Sequence, residues 1–133
     1  MNKSYALYNE FVSLTHAYSL KLLGFNYPVL AYYIPSLKWG KLCFPDDAGI
    51  AINMNGETHN SEECISAPLY QQAFQFLIEK YPLTYSIIKN VNAYMINING
   101  IIIKNINGIT FNTYNEAQKA ALNILIDNIF DKL

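Results

Sequence analysis

The stretch that decides the fold is Tyr94-Met95-Ile96-Asn97-Ile98-Asn99-Gly100-Ile101-Ile102-Ile103-Lys104. Asn-Gly favours the φ > 0 conformations of a tight hairpin turn, and here it stands between β-branched runs. A two-residue turn at Asn99-Gly100 pairs Ile98 with Ile101 and Ile96 with Ile103. Strand alternation then places Tyr94, Ile96, Ile98, Ile101 and Ile103 on one face, which is expected to be core. The other face carries Met95, Ile102 and, after a further turn, Phe111, beside Asn97 and Lys104. It is too apolar to be freely solvated and too polar to be a second full core. Either the N-terminal segment or a partner is expected to cover it, which makes Met95, Ile102 and Phe111 the candidate oligomer contacts. Asn107-Gly108 and Asn55-Gly56 mark two more turns.

Helical signals flank this meander. On the N-terminal side, Ser66 with Pro68 reads as a helix start, because Ser caps free N–H groups and Pro is tolerated in the first turn. Tyr70, Phe74, Leu77, Ile78 and Tyr81 then form a helical stripe ended by Pro82, so a helix is predicted over roughly 68 to 80. On the C-terminal side, Thr113-Tyr114-Asn115-Glu116 fits a capping box. The helix it opens is predicted over 114 to 130, with Ala117, Ala120, Ala121, Leu122, Ile124, Leu125, Ile126 and Ile129 as its wide apolar stripe.

The first third of the chain is less regular. Thr15, the run His16 to Leu23 and then Gly24 have the shape of a short capped helix closed by a left-handed glycine. Residues 5 to 12 fit an earlier helix or an extended arm equally well. Val29 to Ile34 and Trp39 to Phe44 read as strands around a Pro35-Ser36-Leu37-Lys38 turn, and Ile50 to Met54 as a third strand. Gly56 to Glu63 is a polar loop. No internal repeat or linker stands out, only an Asn and Ile bias over residues 90 to 112.

The fold expected is therefore α+β: a three-stranded antiparallel meander packed by two helices, with an N-terminal helix and β-hairpin added. Its 133 residues fall short of the roughly 250 beyond which chains split into several cores, so one domain is expected over 1–133. Residues 1–65 form its helix and hairpin part, and 66–133 its αβββα part. With 52% hydrophobic and 14% charged residues, disorder by charge excess is ruled out.

Charge and cysteine usage narrow the function classes. A formal net charge of −1 gives no global field toward a phosphate backbone, and all nine cations are Lys, which lacks the bidentate fork of Arg. The codons for Asn, Ile, Tyr and Lys are AT-rich, so part of this bias is genomic. The two cysteines, Cys43 and Cys64, suit a reduced intracellular state. The first residues lack a leader pattern and no window approaches the ~18 apolar residues of a membrane span, so a cytoplasmic location with no membrane partner is expected.

From Ser66 onward the order helix, three strands, helix resembles the double-stranded-RNA-binding domain, and Asn115-Glu116-Ala117-Gln118-Lys119-Ala120-Ala121-Leu122 looks like the start of its last helix. In that family a Lys-Lys-x-Ala-Lys pattern there grips phosphates. Here Tyr114, Asn115 and Gln118 stand at those positions, so the resemblance implies topology and not RNA binding. Leu23-Gly24-Phe25, Ala31-Tyr32-Tyr33, Ser66-Ala67-Pro68-Leu69-Tyr70-Gln71-Gln72-Ala73-Phe74 and Thr113-Tyr114-Asn115-Glu116-Ala117 resemble motifs of an uncharacterised family of small proteins from tailed phages and prophages of gut Bacteroidales. That resemblance implies a phage-encoded accessory protein acting in the cytoplasm of a bacterial host cell, and it transfers no catalytic residue.

Few constellations carry chemistry. Cys43, His59, Cys64 and His16 have the donor types of a zinc site, but their spacing matches no known finger. Asp46-Asp47 and Glu62-Glu63 are the only acidic pairs and read as turn and loop; motifs for a nucleophile or a phosphate loop are absent. No cofactor, metal or catalysis is expected. The remaining signal is aromatic: Tyr32, Tyr33 and Trp39 lie close in sequence to Lys38 and Lys41, a set suited to a planar anionic ligand or a protein partner. The expected function is a non-catalytic interaction protein, homo-oligomeric, binding a host protein or small anionic ligand, with host-defence inhibition as one such role. A minor virion or assembly component is the alternative, and a duplex-RNA binder the least favoured.

Overall fold

The computed structural model describes residues 9–34, 41–44, 55 and 64–133. Among them are three helices and three open antiparallel sheets, an α+β chain. Contacts gather it into two units, Met1–Ala73 and Phe74–Leu133, with the division inside the second helix. The assignments made for residues 5 to 8, the 35–38 turn, Trp39, the 50–54 strand and the 56–63 loop lie outside the described residues.

In the first unit, helix α1 spans Leu14–Leu22. Its cap is Ser13 and not Thr15: Ser13 Oγ accepts from the His16 N–H at 3.3 Å, so the helix begins two residues earlier than the sequence suggested. Gly24 follows its end at φ +95°, the left-handed closure that glycine was expected to supply. Strands β1 (Ala31–Ile34), β2 (Lys41–Cys43) and β3 (Ile65–Ala67) form an antiparallel sheet in the order β2-β1-β3. The expected hairpin is present, with Tyr32 opposite Cys43, Tyr33 opposite Leu42 and Ile34 opposite Lys41.

Ser66 is a correction. It sits in β3 opposite Tyr32, fully buried, and its N–H donates to Asn55 Oδ1 at 3.0 Å. A residue paired in a strand has no helix end to cap. The next helix, α2 (Tyr70–Lys80), is instead opened by Gln72, whose Oε1 accepts from the Leu69 N–H at 2.9 Å. Asn55 is also a tie, because its Nδ2 donates to the Phe25 carbonyl at 3.0 Å. Phe11 bridges Leu69 in antiparallel fashion, and the Val12 and Tyr70 N–H groups donate to the Pro68 and Glu10 carbonyls.

In the second unit the residues of α2 from Phe74 on are followed by β4 (Tyr85–Lys89), β5 (Tyr94–Ile98) and β6 (Ile101–Ile103), sheet order β4-β5-β6. The register is the one the Asn99-Gly100 turn dictates, Ile98 opposite Ile101 and Ile96 opposite Ile103. Asn99 and Gly100 take φ +51° and +88°, and Asn97 Oδ1 accepts from the Gly100 N–H at 2.9 Å. Ile96 and Ile98 are buried beneath α3 (Tyr114–Asp131), which packs over β5 and β4. Phe74 stacks on Tyr85 of this same face with ring centroids 4.0 Å apart. Ile101, expected in the core, is 67% exposed because β6 is the edge strand, outside the cover of α3.

The last strand of the expected meander is different. The pentapeptide Asn-Ile-Asn-Gly-Ile occurs twice, at 97–101 and 105–109, a short repeat that composition alone concealed. Its second copy forms a separate ribbon, β7 (Asn105–Ile106) with β8 (Ile109–Thr110), whose Asn107 and Gly108 repeat the φ values of the first turn at +53° and +83°. Phe111 then returns to pair with Tyr94 of β5, its carbonyl accepting the Tyr94 N–H at 2.8 Å. Paired residues share a face, so Phe111 lies with Ile96 and Ile98 and is 5% exposed. The capping box forms as read: Thr113 Oγ1 accepts from the Glu116 N–H, and Glu116 Oε2 accepts from the Thr113 and Asn112 N–H groups. The buried stripe of α3 is Ala117, Ala121, Leu122, Leu125, Ile126 and Ile129. On α2, Phe76 is buried in the place expected for Ile78, which is 38% exposed.

Candidate functional site

The aromatic cluster of the first unit divides in two. Alternation along β1 puts Tyr32 and Ile34 on one face and Tyr33 on the other, and the pairs across the hairpin put Lys41 and Cys43 with the first set. Tyr32 and Lys41 therefore share a partly open face, on which Lys41 is exposed. Tyr33 is not a surface residue. It is 9% exposed, its hydroxyl donates to the Val12 carbonyl at 2.6 Å, and burial raises its pKa above the usual tyrosine value. Its neighbour Tyr70 is pushed up to about 12, by burial first and by Tyr33 second. Both rings belong to the core, and the Tyr33 hydroxyl is a structural donor. Lys38 and Trp39 lie outside the described residues.

The second unit presents a clearer surface. Ile88 lies opposite Met95, and Met95 lies diagonal to Ile102, which faces Asn97. These three side chains draw one apolar stripe across β4, β5 and β6, on the face away from α3. Ile88 is 38% and Ile102 46% exposed, and Met95 is half-buried. Phe111, expected among these contacts, belongs to the opposite face, because the ribbon removes it from the register of a continuous meander. Ile88 was not singled out in the sequence. Its strand follows Pro82 closely and carries no Asn-Gly marker, but Ile87-Ile88 opposite Met95 was the available signal.

The start of α3 bears on nucleic acid. Its first free N–H groups face the Glu116 carboxylate and the Thr113 hydroxyl, so its positive end is already occupied by an internal anion. Tyr114 sets its ring edge-on to Tyr94 at 5.9 Å, and neither Asn115 nor Gln118 carries charge.

Elsewhere in the second unit, a depression of about 230 Å³ lies between the Tyr81-Pro82-Leu83 turn and the end of α3, lined there by Asn128, Ile129, Lys132 and Leu133. Its walls are mainly apolar. Among the described residues no three His, Cys, Asp or Glu side chains gather in a way that would hold a metal ion; His59 and both acidic pairs lie outside them. Cys43 and Cys64 are thiols. They flank β1 from opposite sides, two strand spacings or about 10 Å apart, beyond the ~7 Å reach of a disulfide. No helix among the described residues is long and apolar enough to cross a membrane.

Compared with known proteins, the chain matches no family model, no curated protein and no solved structure.

Proposed function

We propose that this chain is a non-catalytic interaction protein, made by a phage to bind a host protein or small anionic ligand, and that it self-associates through the open face of the β4-β5-β6 sheet. The observation that carries this reading is the stripe Ile88, Met95 and Ile102, apolar, uncharged and uncovered by the helices of its own unit. The stripe itself carries no charge, Lys104 lying two residues beyond Ile102 at its margin, so a two-fold axis can set one stripe on another without like charges meeting at its centre. Completing the burial of a half-exposed aliphatic side chain is worth about 1 kcal/mol. Six such side chains over two copies give about 6 kcal/mol, at the lower end of the association cost of ~4–15 kcal/mol, so the assembly dissociates on dilution. The order of α2, β4, β5, β6 and α3 supports a likeness to the double-stranded-RNA-binding domain in topology. The carboxylate-capped, lysine-free start of α3 supports withholding that family's activity.

Sedimentation velocity over a concentration series tests the reading. Wild type is expected to shift from monomer toward dimer as concentration rises, and Met95→Lys or Ile102→Lys to remain monomeric with unchanged circular dichroism. A wild type that stays monomeric throughout would overturn self-association.

A further inference from the structure

A second surface in the same unit is independent of that stripe. The Asn90–Ala93 connection closes the β4-β5 hairpin, the Asn90 N–H donating to the Ala93 carbonyl at 2.7 Å, directly beyond the Lys89–Tyr94 pair. Because Phe111 pairs with the same Tyr94, the β7-β8 ribbon leaves the sheet at this end too. Two hairpin tips thus project from one end. Val91 at the first is 91% exposed, and Ile109 and Ile106, paired across the second, are 73% and 39% exposed. Lys89 ends β4 and Lys104 precedes the ribbon, both exposed. The one carboxylate in the chain around these tips, that of Glu116, is held by the Asn112 and Thr113 N–H groups.

We propose that these two tips dock reversibly on the surface of an anionic lipid bilayer, Val91, Ile106 and Ile109 entering the boundary between headgroups and acyl chains while Lys89 and Lys104 meet the phosphates. Charge complementarity selects an anionic occupant. A bilayer is preferred to an acidic protein because the apolar tips are separated by Asn90, Asn92, Asn105 and Asn107, and so lack the contiguous patch of ~800 Å² that each partner buries in a protein interface. A bilayer boundary accepts protruding aliphatic side chains one at a time. Lying on a membrane requires no spanning segment, so the absence of a membrane-crossing helix among the described residues is no obstacle.

The test is co-sedimentation of the full chain with vesicles of phosphatidylcholine alone and of equal parts phosphatidylcholine and phosphatidylglycerol, at low salt. Binding is expected only to the mixed vesicles, weakened by added salt. Lys104→Gln should lower partitioning about fivefold, the effect of roughly one charge at an anionic surface. Ile109→Asp and Val91→Asp should each lower it further; both side chains are largely exposed, so the fold should tolerate these changes. Wild type that stays with the buffer in the presence of mixed vesicles, or binding that survives both Asp variants, would overturn the proposal. So would capture by an acidic polypeptide such as polyglutamate without capture by vesicles, since the occupant would then be protein. Met95→Gln, which makes the stripe polar without adding a charge, should bind vesicles like wild type, which separates this surface from self-association.

Discussion

Gly100 and Gly108 occupy the same position of the same pentapeptide, at φ +88° and +83°, and an added Cβ would meet nothing within 4 Å at either. Alanine therefore costs only the backbone term. An L-residue in the left-handed region loses roughly 1–2 kcal/mol, and the stiffer unfolded chain returns ~0.4–1 kcal/mol of it, leaving about 1 kcal/mol at each site. The two substitutions should nevertheless differ in effect. Gly100 joins β5 to β6, whose pairing fixes the buried Ile96 and Ile98, so its strain cannot be released without disturbing core. Gly108 closes a ribbon whose residues 105–110 are all exposed, and a lone two-stranded hairpin is at best marginally stable. The ribbon can open and shed the strain, so the loss is limited to the ribbon's own small stability. With urea unfolding followed by circular dichroism, Gly100→Ala should lower the midpoint by about 0.5 M at a typical slope of roughly 2 kcal/mol per M. Gly108→Ala should change it by less than about half that, while hydrogen exchange at the Ile109 amide accelerates. Equal losses in both variants would refute the reasoning and make the ribbon part of the cooperative core.

Ile96 is fully buried in the central strand, and Ile96→Ala should cost about 3 kcal/mol, within the range for a large-to-small core change, measured in the same urea series. Tyr33→Phe removes the donor to the Val12 carbonyl and leaves that buried acceptor unmatched, which should cost about 1–2 kcal/mol. Folded-state phenol pKa values raised at Tyr33, Tyr70 and Tyr85 mean that their contribution is complete below pH 10, where both states are protonated. It is lost as the pH rises toward about 12, the folded value of Tyr70. Unfolding midpoints should fall across that window, and Tyr70→Phe should make the fall shallower. Deleting residues 105–110 joins Lys104 to Phe111; since six is even, Phe111 keeps its face and its partner Tyr94, and the shortened chain should retain slow exchange at the Ile96 amide.

The parts of this fold written in local chemistry were legible. Asn99-Gly100 specified the β5-β6 register residue by residue, and Thr113 with Glu116 specified the start of α3, because turn dihedrals and cap hydrogen bonds involve only near neighbours. Ser66 misled for the same reason in reverse. A serine ahead of a proline has the chemistry of a cap, but β1 claims its backbone and Asn55 its N–H. The candidate sites were legible only as faces. Alternation correctly grouped Met95 with Ile102 and, across the first hairpin, Lys41 with Cys43, yet it could not keep Tyr32 and Tyr33 together on one surface, since neighbours in a strand point oppositely.

What separates Ile98 from Ile106 is therefore not in the five residues that surround each. Both precede an Asn-Gly turn, and Asn97 and Asn105 each accept from the turn glycine, at 2.9 and 3.2 Å. Ile98 has β4 beside it and α3 above it, and it is 3% exposed; Ile106 pairs with Ile109 alone and is 39% exposed. The deciding residue is Phe111, which bypasses the second hairpin to reach Tyr94 and so leaves the ribbon outside the sheet. A bulky aromatic gains more by entering the face under α3 than the short, polar ribbon gains by extending the meander. Burial of one side chain in the core is thus what leaves Ile106 and Ile109 exposed at the sheet's end, beside the Val91 tip that the β4-β5 hairpin presents on its own.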